Sequence, residues 1–322
     1  MTQPSILTTY GSNIPTQNLD ADCNALQKAM KGLGTDEQAI INILSQRPNA
    51  HRYMLKKRYQ ELFNKDLVKE LKSELSGHFE DIVIALLYSP FELDCQALYD
   101  AMHRLGTNED TLIEIIATRP PYQLEQDKIL FQQMFKKDLC EYVKSETSGH
   151  FRKTLLAILE CKRHPENYPL NLQELQSEAQ ALYKAGAGRL GTDESVFERI
   201  FSTRSGCEIA KISELYVQVA GVDLLTSIRK EFSGDTKKVM EAVFYACMNP
   251  AEWFATKIRD AVKGAGTKDK VLIRVIVSRM EIDLKQIKLA YYNLYKRDMT
   301  TDIMNDTTRD YKKMLTAILN YW

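Results

Sequence analysis

Hydrophobic positions along the chain recur at helical spacing. After Gly34 and Thr35, apolar residues fall at Ile40, Ile41, Ile43 and Leu44, a stripe on one face of a helix. Ahead of the glycine, Ala25, Leu26, Ala29 and Met30 keep the same spacing. Thr35 reads as the N-cap of the second helix, with Gln38 three residues on to close a capping box. Three further stretches, "HRYMLKKRYQELFN", "DLVKELKSEL" and "FEDIVIALLYS", predict three more helices, the last soon after a Ser-Gly turn. No run alternates as a strand would. The pattern predicts five helices in about 70 residues.

The same text then repeats. "MKGLGTDEQAIINILSQR" runs from Met30 to Arg47, "MHRLGTNEDTLIEIIATR" from Met102 to Arg119, "AGAGRLGTDESVFERIFSTR" from Ala185 to Arg204, and "VKGAGTKDKVLIRVIVSR" from Val262 to Arg279. The Gly-Thr glycines are Gly34, Gly106, Gly191 and Gly266, spaced by 72, 85 and 75 residues, and an arginine follows 13 residues after each. A recurring unit of this length is the mark of a repeat architecture. The predicted fold is all-α, with four homologous repeats and about twenty helices. The predicted segments are a short N-terminal tail (1–19), repeat 1 (20–90), repeat 2 (91–160), a linker carrying "CKRHPENYPLNLQE" (161–174), repeat 3 (175–248) and repeat 4 (249–322).

Composition removes several function classes. Lys+Arg and Asp+Glu number 43 each, so no net charge draws the chain to nucleic acid. No window approaches the length of a membrane-spanning helix, and the first residues lack a signal peptide's basic and apolar regions. The six cysteines are scattered and read as buried free thiols of a cytoplasmic protein, without the paired spacing of a zinc site. HExxH, Walker A and G-x-S-x-G motifs are absent, so no enzyme is expected. His51, His78, His103, His150 and His164 are dispersed; His78 and His150 share an "SGH" position and read as helix-start residues. Gly186, Gly188 and Gly191 satisfy G-x-G-x-x-G, but a helix precedes them rather than a strand, and Lys211 stands where the ribose-binding acid belongs.

The glycines have a different partner. Forty residues after each Gly-Thr glycine stands an acid: Glu74, Glu146, Glu231 and Asp306. Calcium is a hard cation that takes about 6–8 oxygen ligands. Glycine-rich loops can turn several backbone carbonyls inward, and one carboxylate from a second loop adds the charge that carbonyls lack. Such a site is weak alone and tightens when an external anion fills its open positions.

In the K-G-x-G-T loops, the acid at plus forty, the closing arginine and the longer linker before the third repeat, the chain closely resembles the annexins over roughly residues 20–320. The resemblance implies a curved disc whose convex loops hold calcium and bind anionic, phosphatidylserine-like phospholipid reversibly. It implies a first site from the carbonyls of Met30, Gly32 and Gly34 with Glu74, a third from Gly186, Arg189 and Gly191 with Glu231, and a fourth from Val262, Gly264 and Gly266 with Asp306. In the second repeat Arg104 replaces the first loop glycine, which puts the set Met102, Arg104, Gly106 and Glu146 in question. In the fourth, Arg309 stands where the family has glycine, which threatens the placement of Asp306. Leu33, Leu105 and Leu190 are expected at loop tips facing the membrane, with Lys31 and Lys263 beside them. The resemblance also places Asp94, Glu114, Arg119 and Arg274 in a central polar channel; a buried ion-pair network is the favoured reading, with ion conduction or membrane scaffolding the alternative function. The expected location is the cytoplasm, peripheral at membranes when calcium rises, with the outer cell surface reachable without a signal peptide. Self-association on the membrane stays open. An EF-hand partner bound through the tail is not expected, because Pro4, Gly11 and Pro15 oppose a helix there.

Overall fold

The computed structural model describes residues 16–32, 34–103 and 106–322. Among them the chain is helical throughout, with twenty α-helices and no strand. Repeat 1 supplies α1 (Thr16–Ala29), α2 (Glu37–Leu44), α3 (Asn49–Phe63), α4 (Leu67–Glu74) and α5 (Gly77–Leu87). Repeat 2 supplies α6 (Pro90–Met102), α7 (Glu109–Thr118), α8 (Pro121–Phe135), α9 (Leu139–Glu146) and α10 (Gly149–Leu159). Repeat 3 supplies α11 (Leu172–Ala185), α12 (Glu194–Thr203), α13 (Gly206–Ala220), α14 (Leu224–Glu231) and α15 (Gly234–Met248). Repeat 4 supplies α16 (Pro250–Val262), α17 (Asp269–Arg279), α18 (Leu284–Tyr295), α19 (Met299–Asp306) and α20 (Arg309–Tyr321). Two helices start earlier than the sequence reading placed them: α1 begins inside the presumed tail and α11 inside the presumed linker, where Asn171 caps it through the Glu174 amide.

The chain forms two compact units. One holds the residues up to Leu93 together with Phe254–Trp322; the other holds Asp94–Trp253. Each unit therefore pairs two repeats, first with fourth and second with third. Inside each unit the second and fifth helices of the two repeats make the core. In the first unit α5 packs on α17 and α20, and α20 on α2; in the second α10 packs on α12 and α15, and α15 on α7. α5 suits this place because it is apolar nearly all round, burying Phe79, Ile82, Val83, Ile84, Leu86 and Leu87, while α20 turns one apolar face inward through Tyr311, Met314, Leu315, Ile318 and Leu319.

Helix ends follow from local chemistry. Asp66, Asp138, Asp223 and Asp298 each cap a fourth helix by accepting backbone N–H groups. The third helices end in left-handed residues, Asn64, Lys136, Gly221 and Lys296. Thr35 does not cap α2 as expected; Asp36 does, accepting the Ala39 amide at 3.0 Å. The closing arginines are ion-paired in every repeat: Arg47 to Asp22 at 2.7 Å, Arg119 to Asp94 at 2.8 Å, Arg204 to Glu178 at 2.7 Å and Arg279 to Asp283 at 2.6 Å. The cysteines are all free, but they are not uniformly buried: Cys23 and Cys95 are, and Cys207 is exposed.

Candidate functional site

Each Gly-Thr loop is closed by one backbone hydrogen bond between the same two positions. The amide of Asp36 donates to the carbonyl of Ala29 at 2.9 Å, Asn108 to Ala101 at 2.9 Å, Asp193 to Ala185 at 2.7 Å and Lys268 to Ala261 at 2.9 Å. Between these anchors the glycines take backbone angles that L side chains rarely adopt: φ is +84° at Gly34 and Gly106, +78° at Gly191 and +87° at Gly266. A Cβ at these four would meet nothing within 4 Å, so the backbone angle rather than space demands glycine.

Gly186 is different. A Cβ there would sit 3.2 Å from Cγ of Glu231 and 3.3 Å from Cζ of Phe197. Its lack of a side chain is what admits the Glu231 side chain beside the loop backbone. At Gly264 the corresponding point lies 4.0 Å from the carbonyl oxygen of Gly266, so these two loop residues face each other closely.

The distant acid reaches the loop through the threonine. Thr35 Oγ1 donates to Glu74 Oε2 at 3.0 Å, Thr192 Oγ1 to Glu231 Oε2 at 2.7 Å, and Thr267 Oγ1 to Asp306 Oδ2 at 2.6 Å. One side-chain bond thus brings a carboxylate from the end of the fourth helix to the loop between the first and second helices. Arg309 does not disturb this in repeat 4. Its φ of +54° reproduces the turn that Gly77, Gly149 and Gly234 make at +61°, +61° and +58°, and Asp306 keeps its threonine.

Repeat 2 is wired otherwise. Thr107 Oγ1 donates to the main-chain carbonyl of Glu146 at 3.0 Å, as Thr267 does to Asp306 at 2.8 Å and Thr192 to Glu231 at 3.4 Å, but unlike them it does not hold the carboxylate, which lies 3.3 Å from Ser145 Oγ. The carbonyl of Met102 is already in use, accepting the Tyr142 hydroxyl at 3.1 Å. Arg104 and Leu105, with Leu33 in repeat 1, lie outside the described residues.

The expected membrane-facing side chains divide. Leu190 is 102% exposed, a leucine with no apolar neighbour to cover it. Lys31 and Arg189 are exposed. Lys263 is exposed but tied to Asp260 at 2.5 Å, and that bond raises its pKa. Asp193, at the start of α12, is held below the ordinary carboxyl range by the Ser195 hydroxyl. Beside loop 1 a cleft of about 520 Å³ is lined by Lys28, Lys31, Thr35, Asp36, Asp310 and Lys313.

The expected channel residues are buried, and the structure joins two of them: Arg119 donates twice to Asp94, at 2.8 Å each. Glu114 is buried in the same unit and Arg274 in the other.

The donor set decides which ion these loops suit. Among the described residues no three His, Cys, Asp or Glu side chains cluster as metal ligands. What each loop of repeats 1, 3 and 4 offers is backbone carbonyl oxygen plus a single carboxylate. That fits a hard, oxygen-seeking cation and offers zinc neither nitrogen nor sulfur. Among the described residues no helix is long and apolar enough to cross a membrane.

Sequence reading missed Tyr142, although the repeats held the signal. Thirty-six residues after each loop glycine stand Glu70, Tyr142, Ser227 and Asp302, and the tyrosine is the one large ring among them.

The annexin family profile matches four stretches, 21–86, 93–158, 177–243 and 253–318. Annexin A7 of Homo sapiens is 41% identical over 321 residues, covering 98% of this chain and 66% of its own length, so the chain spans about two thirds of that relative. The solved structure of annexin III superposes with a TM-score of 0.92 at 36% identity, over 96% of both chains. A calcium-bound structure of annexin (Sm)1 superposes with a TM-score of 0.85 at 30% identity, over 94% of this chain and 90% of that one. By its fold, its four matched repeats and these relatives, the chain belongs to the annexin family.

Proposed function

We propose that this protein binds anionic phospholipid membranes reversibly through calcium ions held at the loops of repeats 1, 3 and 4. The observation that carries the reading is the threonine–carboxylate bond. In three repeats it draws an acid from 39 residues away onto the glycine loop. A neutral cap would serve a turn as well; a carboxylate beside a ring of carbonyls serves a cation. The first ion would take the carbonyls of Met30, Gly32 and Gly34 with Glu74. The third repeat's would take Gly186, Arg189 and Gly191 with Glu231. The fourth repeat's would take Val262, Gly264 and Gly266 with Asp306. Calcium held by these residues would supply the positive charge that attracts lipid phosphate.

The chain's own residues do the rest. Exposed Lys31 and Arg189 add local positive charge, worth roughly 1 kcal/mol each at an anionic surface. Leu190, fully exposed, contributes up to about 1–2 kcal/mol if its side chain enters the headgroup layer. Several weak loops then act together, so binding is reversible and steep in calcium. The calcium-bound structure of a relative at 30% identity supports the choice of ion. The protein would rest in the cytoplasm and move to membranes as calcium rises.

Cosedimentation with phosphatidylserine vesicles across a calcium titration tests this, with EGTA reversal and a Glu74→Gln/Glu231→Gln variant alongside. The expected result is binding that requires calcium, reverses with EGTA and shifts to higher calcium in the variant. Binding indifferent to calcium, or unchanged in the variant, would refute the reading.

A further inference from the structure

We propose that Tyr142 withholds the carbonyl of Met102 from calcium, so that this chain carries three calcium loops rather than four; the inference rests on the calcium reading above. In three repeats a buried tyrosine of the third helix donates its hydroxyl to a small polar or acidic side chain of the fourth. Tyr59 bonds Glu70 at 3.0 Å, Tyr216 bonds Ser227 at 3.0 Å and Tyr291 bonds Asp302 at 2.7 Å. In repeat 2 the two partners have changed places. Phe131 fills the tyrosine position, and the hydroxyl now sits on Tyr142 of α9. With no acceptor on α8, it reaches the carbonyl of Met102 at the end of α6. That carbonyl is the counterpart, in repeat register, of those offered by Met30 and Val262.

The ring is fixed in place. Tyr142 packs with Phe131 and Tyr99 at centroid distances of 6.2 and 6.3 Å, and Lys137 Nζ lies 3.9 Å over its face. Tyr99 in turn stacks on Phe135 at 4.0 Å and on His103, at the head of the loop, at 4.5 Å. A hydroxyl that points its proton at a carbonyl takes one of the oxygen's two lone pairs and leaves a partial positive hydrogen against that oxygen, which weakens it as a ligand for a cation. The threonine agrees: in repeats 1, 3 and 4 it holds the carboxylate, whereas Thr107 bonds only the main chain of Glu146, whose carboxylate lies beside Ser145. The Met102 carbonyl and the Glu146 carboxylate, whose counterparts are proposed ligands in repeat 4, are here bonded within the protein.

The test counts calcium ions per chain by equilibrium dialysis with phosphatidylserine vesicles, and follows amide hydrogen exchange of residues 103–108 in calcium-free buffer. Wild type is compared with Tyr142→Phe, which keeps the ring and removes the hydroxyl, and with Phe131→Tyr/Tyr142→Asp, which installs the pair found in repeat 4. The expected result is three ions for wild type and a fourth in the variants. Exchange in the loop should be about 2–10-fold faster in Tyr142→Phe, the worth of one hydrogen bond. Four ions in wild type, or three in both variants with exchange unchanged, overturns the inference and leaves the calcium reading standing. No calcium bound by wild type removes the calcium reading and this inference with it.

Discussion

Repeats 2 and 3 share one compact unit and the same five-helix plan, yet their loops are bonded differently. In repeat 3, Gly186 yields its side-chain space to Glu231, Thr192 holds the carboxylate at 2.7 Å, and Leu190 stands wholly in solvent. In repeat 2, a tyrosine caps the carbonyl, the threonine bonds the main chain but not the carboxylate, and Tyr99, Phe131, Phe135 and His103 cluster with that tyrosine. The first arrangement brings the carboxylate to the loop threonine; the second leaves it off the threonine and pairs the Met102 carbonyl within the protein. Backbone polar groups must be paired somewhere, and on the proposed reading a few side chains decide between protein and ion with no change of fold.

A second departure lies in the same repeat. Eight residues after each closing arginine stand Leu55, Asp127, Ile212 and Ile287, all fully buried. Neither carboxylate oxygen of Asp127 has a hydrogen-bond partner among the described residues. Burial drives its pKa up to about 9, the Asp94 carboxylate pushes the same way, and Arg119 opposes. Cys95, whose thiol donates to the Asp127 carbonyl, and Cys161 also lie near it. Repeat 2 thus carries an uncharged acid where its three siblings carry a hydrocarbon.

Four predictions press on this contrast. The largest effect is expected from Glu74→Gln/Glu231→Gln/Asp306→Asn, which removes the one carboxylate proposed as a ligand in each of the three loops. The calcium needed for vesicle binding should rise by roughly tenfold or more, while Glu146→Gln leaves it unchanged, since charge count sets calcium affinity. A shift on Glu146→Gln would place repeat 2 among the working loops.

Next comes Asp127→Leu. The folded acid keeps its proton while the unfolded chain ionises above about 3.9. Stability therefore falls as pH rises from that value towards the folded pKa, by up to about 1.4 kcal/mol per pH unit. The variant should be more stable than wild type, with a gain that grows from pH 5 to pH 8 in denaturant melts. A gain independent of pH would mean that Asp127 is ionised and paired in the fold.

Smaller is Gly186→Ala, whose Cβ crowds Glu231 and Phe197. A loss of about 1 kcal/mol in stability and a weakened third-repeat site are expected, where alanine at an uncrowded position would cost neither. The smallest is Arg309→Gly, which relieves a left-handed residue in repeat 4. A gain of about 0.5–1 kcal/mol with calcium binding intact should appear in thermal melts.

Much of this was legible in the sequence because it is written in local spacing. The repeat register, the loop glycines, the acid at plus forty and the arginine at plus thirteen are all properties of one chain read against itself. Thr35 was misread because a hydroxyl before a helix can cap it or can reach away, and only the position of Glu74 decides; Asp36 took the cap instead. Arg104 drew suspicion to repeat 2, but the contacts that distinguish the loop involve Tyr142 and Thr107, whose partners lie 40 and 39 residues off in the chain. Asp127 was overlooked for a related reason: a lone acid in a helix looks solvated until its face is known to be buried. Arg309 was feared as a defect, yet it adopts the glycine's backbone angle and leaves Asp306 in place.

The most direct measurement is a crystal structure grown or soaked in calcium, with the ions located by their anomalous signal. The account predicts ions at Gly34, Gly191 and Gly266, each touched by its carboxylate, and none at Gly106, where Tyr142 keeps its bond to Met102. An ion at Gly106 with Glu146 as a ligand, or no ion at the other three loops, would contradict it.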